Sequence, residues 1–263
     1  MRATRVIRWE IAILLALSLG KSAVYSIVSL IVRLTDSTPL AHQTATLNPT
    51  LSERPMVDLT YNLLSIIFAL VPVALAIYLL NARGQRASVT TVLGLTPARP
   101  ARDFRYGVGL AAAVGIPGLA FFAMSRVLGI TVNVQASALN PAWWTIPVLV
   151  LSAFQNGVLE EVVVVGYLFE RTRDIGWSPS VSRIDWRFMA FSSILRGTYH
   201  LYQGIGPFFA NMVMGAFFAW WYRSRWGRNR ILPLVIAHTL IDIVAFVGYA
   251  ALPASWLSAL GIG

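Results

Sequence analysis

Cysteine is absent from the chain, and lysine nearly so: Lys21 is the one lysine among 21 basic residues. Without cysteine the protein has no disulfide bonds and no thiolate metal sites, and cysteine usage gives no indication of the redox compartment. Charged residues are also scarce, at 12% of 263 residues, which is about half the share of a soluble protein. A soluble fold would therefore have too little charged surface to cover its apolar residues.

Apolar residues make up 57% of the chain, which places it in a lipid bilayer. The N-terminus carries Arg2, Arg5 and Arg8 before an apolar run, as a signal peptide does, but the run continues to Val32. This is longer than the roughly 7–15 residues of a signal-peptide core, so we expect an uncleaved first transmembrane helix. The predicted fold is an all-α polytopic bundle in the cell membrane, with residues 1–263 as a single membrane domain.

A membrane-spanning helix needs about 20 mostly apolar residues, and on this basis the sequence predicts about seven spans. The predicted spans are Trp9–Val32, Leu59–Asn81, Tyr106–Leu128, Trp143–Phe169, Phe188–Tyr202, Ile205–Tyr222 and Ile231–Ala251. The fifth is short, and the fourth is long enough to bend near Pro147.

The basic residues predict the orientation. Sixteen of the 21 lie before the first span or in alternate loops, while the other loops contain almost none. The positive-inside rule then gives a cytoplasmic N-terminus and an external C-terminus. Topology thus accounts for the formal charge of +10, and we expect no nucleic-acid partner. The bilayer itself is the expected environment.

Ionisable residues inside the predicted spans are the main functional candidates, because a charge near the bilayer centre costs at least about 2.5 kcal/mol. Glu10 lies near the cytoplasmic end beside Arg8 and fits a solvated pair. The others lie deeper: at 1.5 Å per residue, Glu161 is about 15 Å above Arg171. The polar residues predicted at a similar depth are Glu160, Arg196, His200, Asn211, His238 and Asp242. Their common depth predicts convergence within the bundle, although a hydrogen-bonded network that only fastens the helices is the alternative.

Two hydrolytic schemes suit these residue types. In one, Glu160 is a general base that deprotonates water, and the imidazoles stabilise an oxyanion. In the other, Glu160, His200, His238 and Asp242 bind a divalent metal such as zinc, which activates the water. Both schemes predict hydrolysis within the membrane.

Three motifs resemble those of the CAAX protease and bacteriocin-processing family of intramembrane proteases, which includes the type II CAAX prenyl endopeptidases. Glu160-Glu161 followed by Gly166 resembles the EExxxR-G motif, the residues ending at His200 resemble FxxxH, and His238-Thr-Leu-Ile-Asp242 resembles HxxxN or HxxxD. The resemblance covers residues 143–251, the expected catalytic helices.

The resemblance implies a role for each matching residue. Glu160 would activate water with the assistance of His200, and Glu161 would be a supporting carboxylate. His238 and Asp242 would hold the oxyanion or a metal. The implied substrate is a membrane-embedded or lipidated peptide or protein.

Two departures from the family pattern form one hypothesis. The motif arginine is Val165 here, and the motif phenylalanine is Arg196. We expect Arg196 to supply the charge compensation that Val165 cannot; the alternative is that Arg196 extends to the cytoplasmic surface and the site has drifted. Asp242 adds a third question, because an ionised aspartate cannot donate a hydrogen bond to an oxyanion. The presence of an aspartate at position 242 therefore slightly favours the metal scheme.

Two other functions stay open from the sequence. One is a non-catalytic membrane scaffold or immunity-type protein of the same fold, which the changes at Val165 and Arg196 favour. The other is a proton-coupled transporter that uses Glu160, Glu161 and His200 as a relay. A transporter would favour inverted repeats or interrupted paired helices, and the sequence has none that is convincing.

Overall fold

The computed structural model describes residues 2–82, 93–177 and 186–252, and it is built almost entirely from helices. The α-helices in these ranges are α1 Arg2–Ala16, α2 Leu19–Thr35, α3 Pro55–Ala69, α4 Val71–Asn81, α5 Pro100–Val127, α6 Thr145–Glu160, α7 Leu168–Asp174, α8 Trp186–Thr198, α9 Ile205–Arg223 and α10 Leu232–Ala251. A π-helical segment, Glu161–Tyr167, joins α6 to α7, and Leu201–Gln203 forms a single 3₁₀ turn between α8 and α9.

Four helical stretches are long and apolar enough to cross a membrane: Pro55–Asn81, Pro100–Val127, Thr145–Asp174 and Leu232–Ala251. They correspond to the predicted second, third, fourth and seventh spans. A fifth crossing is possible if α1 and α2, which meet at a bend of 55°, form one broken span. The all-α class is confirmed. Pro147 lies in the first turn of α6, where proline fits a helix.

The predicted fifth span does not form one helix. Helix α8 ends at Thr198 after 13 residues, a length of about 20 Å, which is shorter than the roughly 30 Å apolar core of a bilayer. The predicted sixth span corresponds to α9, which has 19 residues but contains Pro207 and Asn211 and is not among the four stretches above. Seven spans and the orientation of the termini are therefore not confirmed by the described helices.

A small β-structure lies in the loops at one end of the bundle. Strand β1, Thr44–Thr46, pairs in parallel with β2, Asn133–Gln135, and an isolated bridge joins Thr131 to Gly204. This ties the α2–α3 loop, the α5–α6 loop and the α8–α9 turn together. Gly204 has a φ of 114°, and a Cβ there would lie 2.7 Å from the carbonyl oxygen of Ile130, so the turn requires glycine.

The packing of the helices turns apolar side chains outward and polar groups inward. Phe68 and Val213 are 67% and 64% exposed, as expected for side chains that face lipid. In contrast, the π-helical segment is completely buried at the centre. Helix α6 lies close to α10 because residue 157 is glycine: a Cβ there would be 2.7 Å from Oγ1 of Thr239.

Candidate active site

The two glutamates lie where the chain changes from α-helix to π-helix. Glu160 is the last residue of α6, and Glu161 is the first residue of the π-helical segment. Four consecutive valines follow, and β-branched residues have reduced α-helix propensity. Ser192 of α8 donates a hydrogen bond to the carbonyl oxygen of Val164 at 2.9 Å. π-Helical turns are frequent at functional sites, where they redirect side chains.

Arg196 joins both glutamates. Its Nη1 donates to Oε2 of Glu160 at 3.1 Å, and its Nη2 forms an ion pair with Oε1 of Glu161 at 2.8 Å. The side chain is fully buried, so Arg196 does not extend to the membrane surface. Room for its aliphatic part comes from Gly215 on α9, where a Cβ would lie 3.1 Å from Cδ of Arg196. One guanidinium thus contacts two buried carboxylates.

His238 is oriented by Glu161. Nδ1 of His238 lies 2.7 Å from Oε1 of Glu161, which assigns the proton on Nδ1 as the donor. Nε2 then faces Oδ1 of Asp242 at 3.8 Å and Oε2 of Glu160 at 4.0 Å. Both distances exceed a hydrogen bond, so Nε2 is not directly hydrogen-bonded to either carboxylate.

Asn156 contacts Asp242, which lies beside this cluster. Its Nδ2 donates to Oδ2 of Asp242 at 3.0 Å, which links α6 to α10. Asn156 stands one helical turn before Glu160, so the amide and the carboxylate project from the same face of α6. An amide nitrogen has two protons, and the hydrogen bond to Asp242 uses one of them.

Tyr199 is a site residue that the sequence did not single out. Its hydroxyl donates to Oε2 of Glu160 at 2.6 Å, and its side chain is almost completely buried. In the described part of the chain, the hydrogen bonds and ion pairs of Glu160 all involve Oε2. Oε1 of Glu160 is therefore available to accept a proton. The available signal was the position of Tyr199 directly before His200, on a helix already predicted to carry the site.

His200 is held by the backbone of α8. Its Nδ1 lies 2.9 Å from the carbonyl oxygen of Arg196, so Nδ1 carries a proton and donates it. In a neutral ring, Nε2 then has a free lone pair. The ring of His200 packs against Tyr199, with 4.8 Å between centroids. Asn211 donates to the carbonyl oxygen of Pro207 within its own helix, and it lines the cavity described next.

A cavity of about 1360 Å³ gives access to the cluster. The polar side chains that line it include Asn156, Glu160, Tyr199, His200, His238 and Asp242. Arg196 and Glu161 are not among its lining residues. They lie behind Glu160 and His238, so the cavity meets the groups that could react with a ligand, and the ion pair supports those groups from behind.

A resident metal is only partly compatible with this arrangement. Glu160, Glu161 and His238 each offer one ligand atom within 4.8 Å of the others, so their positions could hold an ion. Oε2 of Glu161 also lacks a hydrogen-bond partner among the described residues. However, Arg196 contacts both carboxylates, and a divalent ion would share them with a fixed positive charge. The expected ligands His200 and Asp242 are outside this group. The residues present do not fit a catalytic zinc site well.

The sequence-predicted residues thus converge in part through direct contacts and in part around the cavity. Glu160, Glu161, Arg196 and His238 form one contact cluster. Asp242 lies beside it, with Oδ1 at 3.8 Å from Nε2 of His238, and His200 lines the same cavity. Their catalytic roles stay predictions.

Residues 142–244 match the family model described as type II CAAX prenyl endopeptidase Rce1-like. This match confirms the resemblance drawn from the three motifs and covers almost the same residues. No curated protein and no solved structure matches the chain.

Proposed function

We propose that this chain, which carries an Rce1-like domain of the type II CAAX prenyl endopeptidases, is an intramembrane endopeptidase that uses Glu160 to activate water. The observation that carries the proposal is the state of Glu160. Arg196 and Tyr199 hold its Oε2, while the residue lines a large cavity and its Oε1 has no protein partner in the described chain. A fixed carboxylate with one free oxygen suits a general base.

In the proposed reaction, Oε1 of Glu160 takes a proton from water as the water oxygen attacks the peptide carbonyl carbon. The carbonyl π electrons move to oxygen and form an oxyanion. When the intermediate collapses, the C–N bond breaks, and Glu160 returns its proton to the leaving nitrogen. His200 assists through the lone pair on Nε2, which can accept a hydrogen bond from the same water.

The oxyanion needs donors, and two side chains can supply them. Three carboxylates, Glu160, Glu161 and Asp242, surround one guanidinium and one imidazole, so a protonated His238 improves the charge balance. Its Nε2–H can then donate to the oxyanion. The second donor in the proposal is Asn156, through the Nδ2 proton that is not bonded to Asp242. Asp242 itself orients the amide.

This scheme needs no metal. Arg196 supplies the positive charge that a zinc ion would bring to the glutamates. Its position supports the hypothesis of a compensating exchange, in which the motif arginine is replaced by Val165 and the motif phenylalanine by Arg196. The substrate in the proposal is a peptide in or anchored to the bilayer, such as a lipidated C-terminus, because much of the cavity is lined by apolar side chains of α5 and α10.

The proposed topology keeps seven crossings in the cell membrane, with the N-terminus cytoplasmic. It is supported by contacts that gather basic segments at one end: Arg171 bonds to Glu10 and to the carbonyl of Leu79, and Arg102 bonds to the carbonyl of Trp226. Since the chain has no cysteine, single Ser37→Cys and Ala98→Cys variants can be labelled in intact cells. An impermeant maleimide should modify only residue 37, and the reverse would refute the orientation.

The decisive experiment is a peptidase assay in proteoliposomes. Farnesylated and unmodified peptides would be incubated with wild type, Glu160→Gln and the control Glu53→Gln, which changes an exposed loop glutamate. Loss of general-base catalysis should lower kcat by about 10²–10⁴-fold in Glu160→Gln, with Glu53→Gln unchanged. Cleavage that persists in Glu160→Gln would refute the role of Glu160. A folded wild type that cleaves none of the peptides would favour the scaffold function.

A further inference from the structure

A second cavity lies at the end of the bundle where α5 begins and α9 ends. It has a volume of about 490 Å³. Its lining residues come from two segments that are more than a hundred positions apart in sequence: Arg102, Tyr106, Arg225, Trp226 and Arg228. Three guanidinium groups and two aromatic rings therefore share one small space outside the candidate active site.

The side chains of this cavity are oriented by contacts with one another. Nη2 of Arg102 donates to the carbonyl oxygen of Trp226 at 3.0 Å, which connects the two segments. The guanidinium carbon of Arg102 lies 5.2 Å from the ring centroid of Tyr106, and that of Arg225 lies 4.3 Å from the ring centroid of Trp226. Cation–π contacts hold these charges in place without neutralising them.

The loop that carries Arg225, Trp226 and Arg228 has an unusual backbone. Arg228 and Asn229 have φ values of 50° and 55°, although neither is glycine. Such conformations cost of order 1–3 kcal/mol and persist only where other contacts impose them. Here the amide of Arg228 donates to the carbonyl of Ser224, and the amide of Asn229 donates to that of Tyr222, each at 2.9 Å. The loop therefore presents its side chains in a fixed arrangement.

The positive charge of the cavity is uncompensated within the described part of the chain. The nearest acidic residue in sequence is Asp103, but its carboxylate is engaged by Arg230. No acidic side chain is among the lining residues that the described ranges contribute. Arg102 lies in the first turn of the membrane-spanning helix α5, so the cavity sits where the apolar core gives way to headgroups.

We propose that this cavity binds the phosphodiester headgroup of an anionic phospholipid. A guanidinium group can donate two parallel hydrogen bonds to the oxygens of one phosphate. The exposed side chain of Trp226 suits the interface where acyl chains meet headgroups. The positive-inside rule requires only that positive charge lie on this side of the membrane. It does not require arginines from two distant segments to surround one cavity with aromatic walls. The site is separate from Glu160 and does not depend on the proposed peptidase.

The test compares two doubly substituted proteins with equal loss of charge. Arg225→Gln with Arg228→Asn removes two cavity cations, and asparagine tolerates the left-handed backbone at 228. The control, Arg99→Gln with Arg105→Gln, removes two exposed cations from the same end of α5 outside the cavity lining. Delipidated full-length protein in neutral detergent, at about 0.15 M salt, would be titrated with phosphatidylglycerol, phosphatidylcholine or inorganic phosphate. Native mass spectrometry would count the lipids bound to each protein.

The expected result is saturable binding of one phosphatidylglycerol by wild type and by the control pair. In the cavity pair, the affinity should fall by at least about tenfold, given the contribution of each arginine near an anionic surface. Phosphatidylcholine should bind weakly to all three proteins. Equal affinity in the cavity pair and wild type would overturn the proposal, as would an equal loss in both pairs. Millimolar inorganic phosphate that displaces the lipid would overturn the assignment to a phospholipid and identify a free-phosphate site.

Discussion

Arg196 is the residue on which the candidate site depends most. The sequence indicated Arg196 as a departure from a motif, and its position along the helix predicted the same depth as the glutamates. What the sequence could not give was the direction of the side chain, since the rotation of a helix about its axis is set by tertiary packing. The observed contacts with Glu160 and Glu161 exclude extension to the surface.

Replacement of Arg196 tests its role as the shared counter-ion. Arg196→Lys keeps the charge but cannot contact both carboxylates as a planar guanidinium does. We expect kcat to fall by about ten- to a hundredfold, because the Glu160 carboxylate is displaced. KM should change little, because Arg196 does not line the cavity that would bind the substrate. Arg196→Met should destabilise the fold by about 3–5 kcal/mol, since it leaves buried carboxylates unpaired. Steady-state kinetics and denaturant unfolding measure these effects.

The combination of Val165→Arg with Arg196→Phe provides the matched comparison. It moves the guanidinium back to the helix where the family motif has it. Partial recovery of activity relative to Arg196→Phe alone would support a compensating exchange. If the double variant were as inactive as the single one while both remained folded, the two departures would have to be regarded as unrelated.

Asn156 and Asp242 form the second residue-level test. Asn156→Leu should lower kcat by about 10²–10³-fold, as expected for loss of an oxyanion donor, and Asn156→Asp should do the same. The reciprocal variant, Asn156→Asp with Asp242→Asn, restores one amide and one carboxylate at the site. We expect it to recover much of the lost kcat. Failure of that recovery in a folded protein would show that Asn156 acts by holding α10 in place.

At the level of elements, the sequence predicted long apolar helices well and short or irregular ones poorly. The stretches Pro55–Asn81 and Leu232–Ala251 follow from apolar length alone. The π-helical segment was not foreseen, because four valines in a row favour no specific i→i+5 pattern. Helix α8 was predicted too long, since the residues after Thr198 are apolar enough to continue a helix but instead turn at Gly204. Tyr199 was missed because the sequence does not give the direction in which a helical side chain points, which was also unknown for Arg196.

The close crossing of α6 and α10 makes an element-level prediction. Gly157→Ala would place a methyl group 2.7 Å from Oγ1 of Thr239 and 3.1 Å from the carbonyl oxygen of Val235. The helices must separate, so we expect destabilisation by about 1–3 kcal/mol and a loss of activity as Glu160 moves away from His238. Gly109→Ala is the control, because nothing lies within 4 Å of its new methyl group. Equal stability of the two variants would refute the importance of this crossing.

On the scale of the whole molecule, the described bundle exposes many large apolar side chains, and the candidate site is one of the places where it buries charged groups. The apolar surface follows from composition, which the sequence gives directly. The convergence of α6, α8 and α10 on one cavity could not be predicted with the same certainty. A common depth fixes the positions of the side chains along the membrane normal but not within the membrane plane. The buried charge at the candidate site is compensated among side chains, with Arg196 at its centre, and the proposed peptidase mechanism therefore needs no bound metal.

The most direct test of that claim measures metal content and peptide cleavage in the same sample of reconstituted protein. The account predicts full cleavage activity with zinc and other divalent metals well below one equivalent, and no effect of a chelator on the rate. It would be contradicted by activity that requires about one equivalent of metal, disappears with the chelator and returns when zinc is added back.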